Sequence, residues 1–211
     1  MTTNTINGTT GSESIPGTIF GDSIMADAGD DTVFGFLGDD VIQGWTGNDI
    51  LYGGDGNDEV KASYGSNFIY GDAGNDTLES RGSGNNTFSG GTGDDSMSSR
   101  SGGDATFYGG DGDDYMTALS GNNLGFGGLG DDTVAGGSGN DSLYGENGDD
   151  TIYGHVGNDF SYGGGGNDEV TGANAYGGSG NDTVKAPNSG LGSLLYGDDN
   201  DAQAGDDFLR G

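Results

Sequence analysis

The chain repeats a nine-residue unit, and this period constrains its fold more than any other feature. Between Gly8 and Glu79 it divides into eight consecutive units without a gap. Most units carry Gly at the fourth place, Asp or Asn at the fifth, Asp at the sixth and an aliphatic residue at the eighth. A glycine-rich turn followed by a strand of about three residues is too small to be stable alone, so successive units have to stack on one another.

The frame continues to the C-terminus with small insertions, and its eighth place supplies one inward-pointing side chain per unit. Except for Gly125 and Ser161, these side chains are apolar: Ile15, Ile24, Val33, Ile42, Leu51, Val60, Ile69, Leu78, Phe88, Met97, Phe107, Met116, Val134, Leu143, Ile152, Val170, Val184, Leu195 and Leu209. Two units make one coil, whose strands join two parallel sheets. The sequence therefore predicts an all-β parallel β-solenoid of about ten coils, with residues 1–7 as an N-terminal extension and residues 8–211 as one domain.

The composition excludes an ordinary globular core. Glycine accounts for 50 of the 211 residues, and aliphatic and aromatic residues together for 29%. Typical soluble domains have roughly 45–50% apolar residues, of which glycine is only about 7%. With 35 Asp and Glu against 5 Lys and Arg, the formal net charge is -30. Such a chain repels itself and avoids nucleic acid and anionic membranes, so the partner that it lacks is a cation.

Several absences narrow the setting further. The chain has no Cys, and therefore no disulfide framework and no thiolate metal site. No apolar run approaches the roughly 18–20 residues of a membrane span, which predicts no membrane insertion. The segment Met1–Phe20 lacks the basic start and the apolar stretch of a secretory signal peptide, so any export is expected to use another signal.

The residues also give little support for catalysis. The lone His155 lies at the second place of a turn, without a nucleophile pattern or paired carboxylates in an apolar pocket. The glycine-rich segments are not phosphate-binding loops, because no Lys follows them and their carboxylates would repel phosphate. We therefore expect no enzymatic activity.

The chemistry of the turns points to calcium. A glycine-rich turn can aim backbone carbonyls at a common point, and an Asp at a fixed place adds a charged oxygen. Two such turns one coil apart can enclose a hard cation that takes six to eight oxygens at about 2.3–2.6 Å. All-oxygen ligands in flexible loops favour calcium over zinc and magnesium. The sequence thus predicts multiple Ca²⁺ ions.

Two units, Gly127-Gly128-Leu129-Gly130-Asp131-Asp132-Thr133-Val134 and Gly136-Gly137-Ser138-Gly139-Asn140-Asp141-Ser142-Leu143, resemble the repeats-in-toxin, or hemolysin-type, calcium-binding nonapeptide. More than a dozen units in phase make the resemblance specific, and it covers nearly the whole chain. The resemblance implies a right-handed parallel β-roll with calcium ions in its turns. It also implies type I secretion from a Gram-negative bacterium and folding after export.

The sixth-place residues differ between the two sides of the predicted roll. One side, called here the complete file, has Asp22, Asp40, Asp58, Asp76, Asp95, Asp114, Asp132, Asp150, Asp168 and Asp182. The other, the interrupted file, has Asp31, Asp49, Asn67, Asn86, Ala105, Asn123, Asp141 and Asp159. The aspartates of both files are the predicted calcium ligands, and the middle of the interrupted file is expected to bind no calcium. Lys61, Arg81, Arg100 and Lys185 lie in or beside the interrupted side and are expected to balance neighbouring carboxylates.

The outward-facing strand positions are equally uneven. They are mostly polar on the sheet that follows the complete file. On the opposite sheet they form a ladder, called here the aromatic stripe: Phe34, Ile50, Tyr52, Phe68, Tyr70, Tyr108, Leu124, Phe126, Tyr144, Phe160, Tyr162, Tyr176 and Tyr196. Tyr-rich strands also arise from β-propensity alone, but an apolar ladder of this length predicts a contact with another copy, another domain or a sugar polymer.

Both ends of the repeat array look open in the sequence, since the first unit starts by Gly8 and Gly211 would open another unit. Either the chain is a piece of a longer repeat protein or its ends stack head to tail on other copies. We expect a structural calcium-binding protein, extracellular or on a bacterial cell surface, that self-associates into a filament or surface layer. The alternatives are a repeat module of a larger secreted toxin, protease or polysaccharide-modifying enzyme, and an adhesin that binds a cell-surface glycan.

Overall fold

The computed structural model describes residues 4–100, 102–187, 193–198 and 206–210. These residues form 23 strands and no helix. The strands belong to two parallel sheets of 12 and 11 strands, in which odd-numbered strands pair with odd and even-numbered with even. Each coil therefore adds one strand to each sheet. The predicted parallel β-solenoid of about ten turns, consistent with a right-handed β-roll, is confirmed.

The first sheet contains the odd-numbered strands. They are β1 Asn4–Asn7, β3 Asp22–Met25, β5 Val41–Thr46, β7 Glu59–Tyr64, β9 Thr77–Ser80, β11 Ser96–Ser99, β13 Tyr115–Ala118, β15 Thr133–Ala135, β17 Thr151–Tyr153, β19 Glu169–Thr171, β21 Thr183–Lys185 and β23 Phe208–Arg210. This sheet starts before the first nonapeptide, because Asn4–Asn7, assigned above to an N-terminal extension, pair with β3.

The second sheet contains the even-numbered strands and carries the aromatic stripe. They are β2 Ser14–Pro16, β4 Thr32–Leu37, β6 Ile50–Asp55, β8 Phe68–Ala73, β10 Asn86–Thr92, β12 Ala105–Asp111, β14 Leu124–Leu129, β16 Ser142–Asn147, β18 Phe160–Gly165, β20 Asn174–Ser179 and β22 Leu194–Asp198. Most of these strands are longer than the expected three residues. They continue past the ninth place into the next turn, where Gly54 still pairs with Asp72 and Asp55 with Ala73.

The core lies between the two sheets and consists of the eighth-place side chains. Those from Ile15 to Val184 are almost completely buried, including Gly125 and Ser161, which contribute little apolar surface. Phe88 and Phe107 stack inside the roll with ring centroids 4.9 Å apart. Leu209 is 51% exposed because it lies on β23, the last strand of its sheet. Leu195, on the last strand of the other sheet, is half-buried against the core, so the predicted inward ladder is confirmed except at Leu209.

Candidate metal centre

The fourth-place glycine is required by the backbone of the turn. At Gly47 the φ angle is +144°, a conformation that side chains disfavour. A Cβ there would also meet the carbonyl of Gly29, the fourth-place residue one coil earlier. Residues at the second place can also have a positive φ, as Trp45 and His155 do. Their side chains are exposed to solvent, so the turn accepts large residues there. Each turn is therefore tightly stacked on its neighbour at the fourth place.

Two hydrogen-bond ladders tie successive turns together, and they run in opposite directions. At the sixth place, the backbone N–H of Asp40 donates to Oδ1 of Asp58 in the next coil at 2.7 Å. At the fifth place, the N–H of Asn57 donates to Oδ1 of Asp39 in the preceding coil at 2.9 Å. These bonds explain why both places need a short side chain with an acceptor oxygen.

All fourteen predicted aspartate ligands are buried, and none is more than 2% exposed. In Asp22 the Oδ1 atom has no hydrogen-bond partner. In twelve others the Oδ2 atom has none: Asp31, Asp40, Asp49, Asp58, Asp76, Asp95, Asp114, Asp132, Asp141, Asp150, Asp159 and Asp168. A buried carboxylate oxygen without a donor is costly, so the row of them indicates that cations belong along it.

In the complete file, a backbone carbonyl faces the unpartnered carboxylate oxygen. The position that a Cβ of Gly109 would take lies within 3.0 Å of both Asp114 Oδ2 and the Gly127 carbonyl oxygen of the next coil. The same pair of oxygens converges at Gly127, Gly145 and Gly163. Two oxygens facing one small space, with no hydrogen-bond donor between them, form a cradle that suits a hard cation. The cradle also explains the first-place glycine, because a methyl group would fill it.

The donor set fits calcium. Among the described residues no group of three or more His, Cys, Asp or Glu side chains converges. This agrees with one carboxylate per turn, so the remaining ligands would be backbone carbonyls. Calcium accepts such mixed oxygen sets in flexible loops, whereas zinc prefers nitrogen and sulfur ligands. The sixth-place aspartates and the first-place carbonyls are the groups that would hold it.

The pKa values of these carboxyls show the cost of leaving them without a cation. Burial, together with a smaller contribution from neighbouring carboxylates, raises the pKa of Asp40 to about 6 and that of Asp132 to about 7. The backbone N–H bonds of the ladder act in the opposite direction but do not compensate. Bound calcium would favour the ionised carboxylates, because an adjacent positive charge lowers a carboxyl pKa.

The first place separates the two files. It is glycine in every unit of the complete file, from Gly17 to Gly177. In the four units of the interrupted file that lack a sixth-place Asp it is Ala62, Ser80, Ser99 and Ala118, which are all buried. Asp31 keeps its carboxylate although its unit begins with the buried Ala26, so its cradle, unlike those of the other thirteen predicted ligands, contains a methyl group. The loss of the carboxylate is therefore accompanied by a side chain at the first place.

One member of the complete file was missed in the sequence. The backbone N–H of Asp182 donates to Oδ1 of Asp207 at 2.9 Å, which continues the sixth-place ladder into the last coil. Asp207 follows Asp182 by 25 residues, so a regular spacing did not reveal it. Leu209 could have revealed it, because Leu209 occupies the eighth place of its unit and Asp207, two residues earlier, therefore occupies the sixth.

The four basic residues beside the interrupted file pair with glutamates of the first sheet rather than with turn aspartates. Glu79 is buried and receives two arginines, and the hydrogen bond from Arg81 holds its pKa below the usual range. The pairs are Lys61–Glu59, Arg81–Glu79, Arg100–Glu79 and Lys185–Glu169. The expected balance of charge occurs on the strands.

The rings of the aromatic stripe stack on one another along the sheet. Tyr52 and Tyr70 have centroids 4.8 Å apart with planes within 9°, and Tyr176 and Tyr196 are also 4.8 Å apart. Ser89 interrupts the ladder between Tyr70 and Tyr108. Exposed members of the stripe are Phe68, Tyr108 and Tyr196. The others are half-buried: Phe34, Ile50, Tyr52, Tyr70, Leu124, Phe126, Tyr144, Phe160, Tyr162 and Tyr176.

Comparisons with known proteins agree with this geometry. No helix of the described residues is long and apolar enough to cross a membrane. A search of curated proteins gave no significant match. The family model of the RTX calcium-binding nonapeptide repeat matches residues 16–51, 52–81, 82–105, 101–125, 126–161 and 135–170, which together are most of the chain. The chain therefore belongs to the RTX calcium-binding nonapeptide repeat family.

Proposed function

We propose that this chain is a secreted structural protein whose β-roll folds when it binds calcium outside the cell. The observation that carries the proposal is the file of buried carboxylate oxygens that face backbone carbonyls without any donor between them. A chain of net charge -30 cannot keep these groups ionised and buried without cations. Proteins with RTX repeats are typically secreted, which supports the extracellular location.

We further propose that folded copies associate through the aromatic stripe into a filament or surface layer. Stacked rings cover one another's faces and leave mainly their edges outward. A sugar polymer would pack on ring faces, whereas another protein surface can interlock with ring edges. The stripe therefore favours a second copy over a glycan. Head-to-tail stacking of coils would supply the axial contact.

The proposal has a two-step test. Circular dichroism should report a disordered chain in chelator and β-structure once calcium reaches about 10⁻⁴–10⁻³ M, the range of extracellular calcium modules. Equal strand content with and without chelator would contradict calcium-dependent folding. Size-exclusion chromatography in calcium then tests assembly. Polymers support the structural role, and a stable monomer supports a repeat module of a larger secreted toxin, protease or polysaccharide-modifying enzyme.

A further inference from the structure

We propose that asparagine amides replace calcium in the centre of the interrupted file, and that the coils within residues 59–123 persist at lower calcium than the rest of the roll. The inference rests on the calcium-dependent folding proposed above. It concerns the four units of the interrupted file that lack a sixth-place aspartate: Asn67, Asn86, Ala105 and Asn123. Sixth-place hydrogen bonds still join these turns to their neighbours, as from the Asn67 N–H to Asn86 Oδ1 and from the Asn123 N–H to Asp141 Oδ1, so something other than a carboxylate–cation contact holds them together.

The clearest replacement is at Asn123. Its Nδ2 atom donates to the Gly136 carbonyl at 2.9 Å and to Asp141 Oδ1 at 2.9 Å. Gly136 opens the next unit on that side, so its carbonyl corresponds to the Gly127 carbonyl that faces Asp114 in the complete file. An N–H group pointing at this carbonyl replaces one of two facing oxygens. The contact becomes a hydrogen bond and needs no ion.

The amides of the other two asparagines are also held by hydrogen bonds, to a sixth-place side chain and to fourth-place carbonyls. Nδ2 of Asn67 donates to Oδ1 of Asn86 at 3.0 Å, and Nδ2 of Asn86 donates to the Gly84 carbonyl at 3.2 Å. Ala105 cannot donate from its side chain, but its backbone N–H donates to Oδ1 of Asn123 at 2.8 Å. The sixth-place ladder therefore passes through the central turns, broken only where Ala105 offers no acceptor.

The cradle that would hold a cation is filled in the same four units. Ala62, Ser80, Ser99 and Ala118 stand at the first place and are buried. In the complete file the corresponding Cβ position, as at Gly109, lies between the carboxylate and the carbonyl oxygens. A side-chain carbon at that point occupies the space of the ion. Two changes, at the first and the sixth place, therefore act together to exclude calcium.

The same coils have further stabilisation that does not depend on calcium. The core there contains the stacked Phe88 and Phe107, and both rings are at most 2% exposed. On the outside of the first sheet, Arg81 and Arg100 enclose the buried Glu79 at 2.8 and 3.1 Å. Apolar burial and this ion pair remain when calcium is withdrawn. The central coils should consequently lose the least stability in low calcium.

Hydrogen–deuterium exchange of the full chain across a calcium titration tests the inference. Peptides from residues 59–123 should become protected at about fivefold lower calcium than peptides from residues 22–58 and 132–185, a factor that corresponds to about one net hydrogen bond. Simultaneous protection of all three segments, or earlier protection of either flank, would overturn the inference.

A pair of variants tests the filled cradle independently. Ala118→Gly combined with Asn123→Asp restores both places and should bind about one calcium ion more than the parent in saturating calcium. Asn123→Asp alone keeps the Ala118 methyl and should bind no more than the parent. Equal calcium counts in the two variants would overturn the inference. Full protection of the parent in chelator would instead refute calcium-dependent folding, and the two calcium counts would still decide the inference.

Discussion

Each sixth-place aspartate has two roles, because its two carboxylate oxygens face different groups. In Asp114, Oδ1 accepts the N–H of Asp95 at 2.8 Å, while Oδ2 is buried without a hydrogen-bond partner beside the Gly127 carbonyl. The first role is structural, and the second would be to bind the cation. An asparagine keeps the first role and turns the second oxygen into a donor. Aspartate and asparagine therefore build the same turn with opposite requirements for calcium.

The first-place glycine can be tested by a single methyl group. Gly109→Ala should place a Cβ between Asp114 Oδ2 and the Gly127 carbonyl, remove about one calcium ion and destabilise the roll by about 1–3 kcal/mol. Gly165→Ala is the matched control, since the nearest atom to its added Cβ is Ser179 Oγ at 3.5 Å. Calcium counts and thermal unfolding in calcium provide the measurement. An unchanged count in Gly109→Ala, or equal destabilisation of both variants, would contradict the cradle.

At the scale of the element, the two sheets share one core and have different outer faces. The second sheet carries stacked rings, and the first carries mostly polar residues and ion pairs. A strand can change its outward residues without disturbing its inward residue, because neighbouring positions point to opposite faces. The aromatic stripe can therefore be altered separately from the core and the turns.

Replacing Tyr52, Tyr70, Tyr144 and Tyr162 with Ser should weaken lateral association and leave calcium-dependent folding in place. The matched control replaces Tyr115 and Tyr153, outward tyrosines of the first sheet, in the same way. Light scattering in calcium measures association, and circular dichroism checks folding. If the quadruple variant associates as strongly as the parent, the stripe reflects ordinary β-propensity and is not a contact surface.

The sequence predicts most of this architecture because period, core and turn chemistry are local properties of each unit. The alternation of Asp40, Asp49 and Asp58 between two files follows from counting alone. Other features depend on the neighbouring coil. The extension of β6 through Gly54 and Asp55 requires partners on β8, and the approach of Arg100 to Glu79 requires β9 and β11 to pair in register. Such contacts between coils are not visible in one unit.

For the whole molecule, the dominant quantity is the charge that folding has to bury. In the folded, metal-free chain the pKa of Asp58 is raised to about 6 and that of Asp168 to about 7, mainly by burial. In the unfolded chain both stay near the usual 3.8. Between these values the folded chain binds more protons than the unfolded chain, so metal-free stability falls as pH rises from about 4 to 7.

Protons should therefore partly substitute for calcium. In calcium-free buffer, circular dichroism should show more β-structure at about pH 5 than at about pH 7.5, because the buried carboxyls are then protonated. In saturating calcium, this gain at the lower pH should disappear, since the ions already compensate the carboxylates. A metal-free chain with equal or greater β-content at the higher pH would show that these carboxyls do not limit folding.

The alternation of units between two sheets also bears on how such a chain can change length. Loss of one whole coil, for example the coil that contains β8, would bring β6 next to β10 in the same register. Every remaining residue would then stay on its own sheet. Loss of a single nonapeptide would move all later residues to the opposite sheet. The later half of the aromatic stripe would then continue the polar face, and the two calcium files would exchange partners. We therefore expect duplication and deletion in this protein to be tolerated in pairs of units, although the repeat seen in the sequence is a single unit.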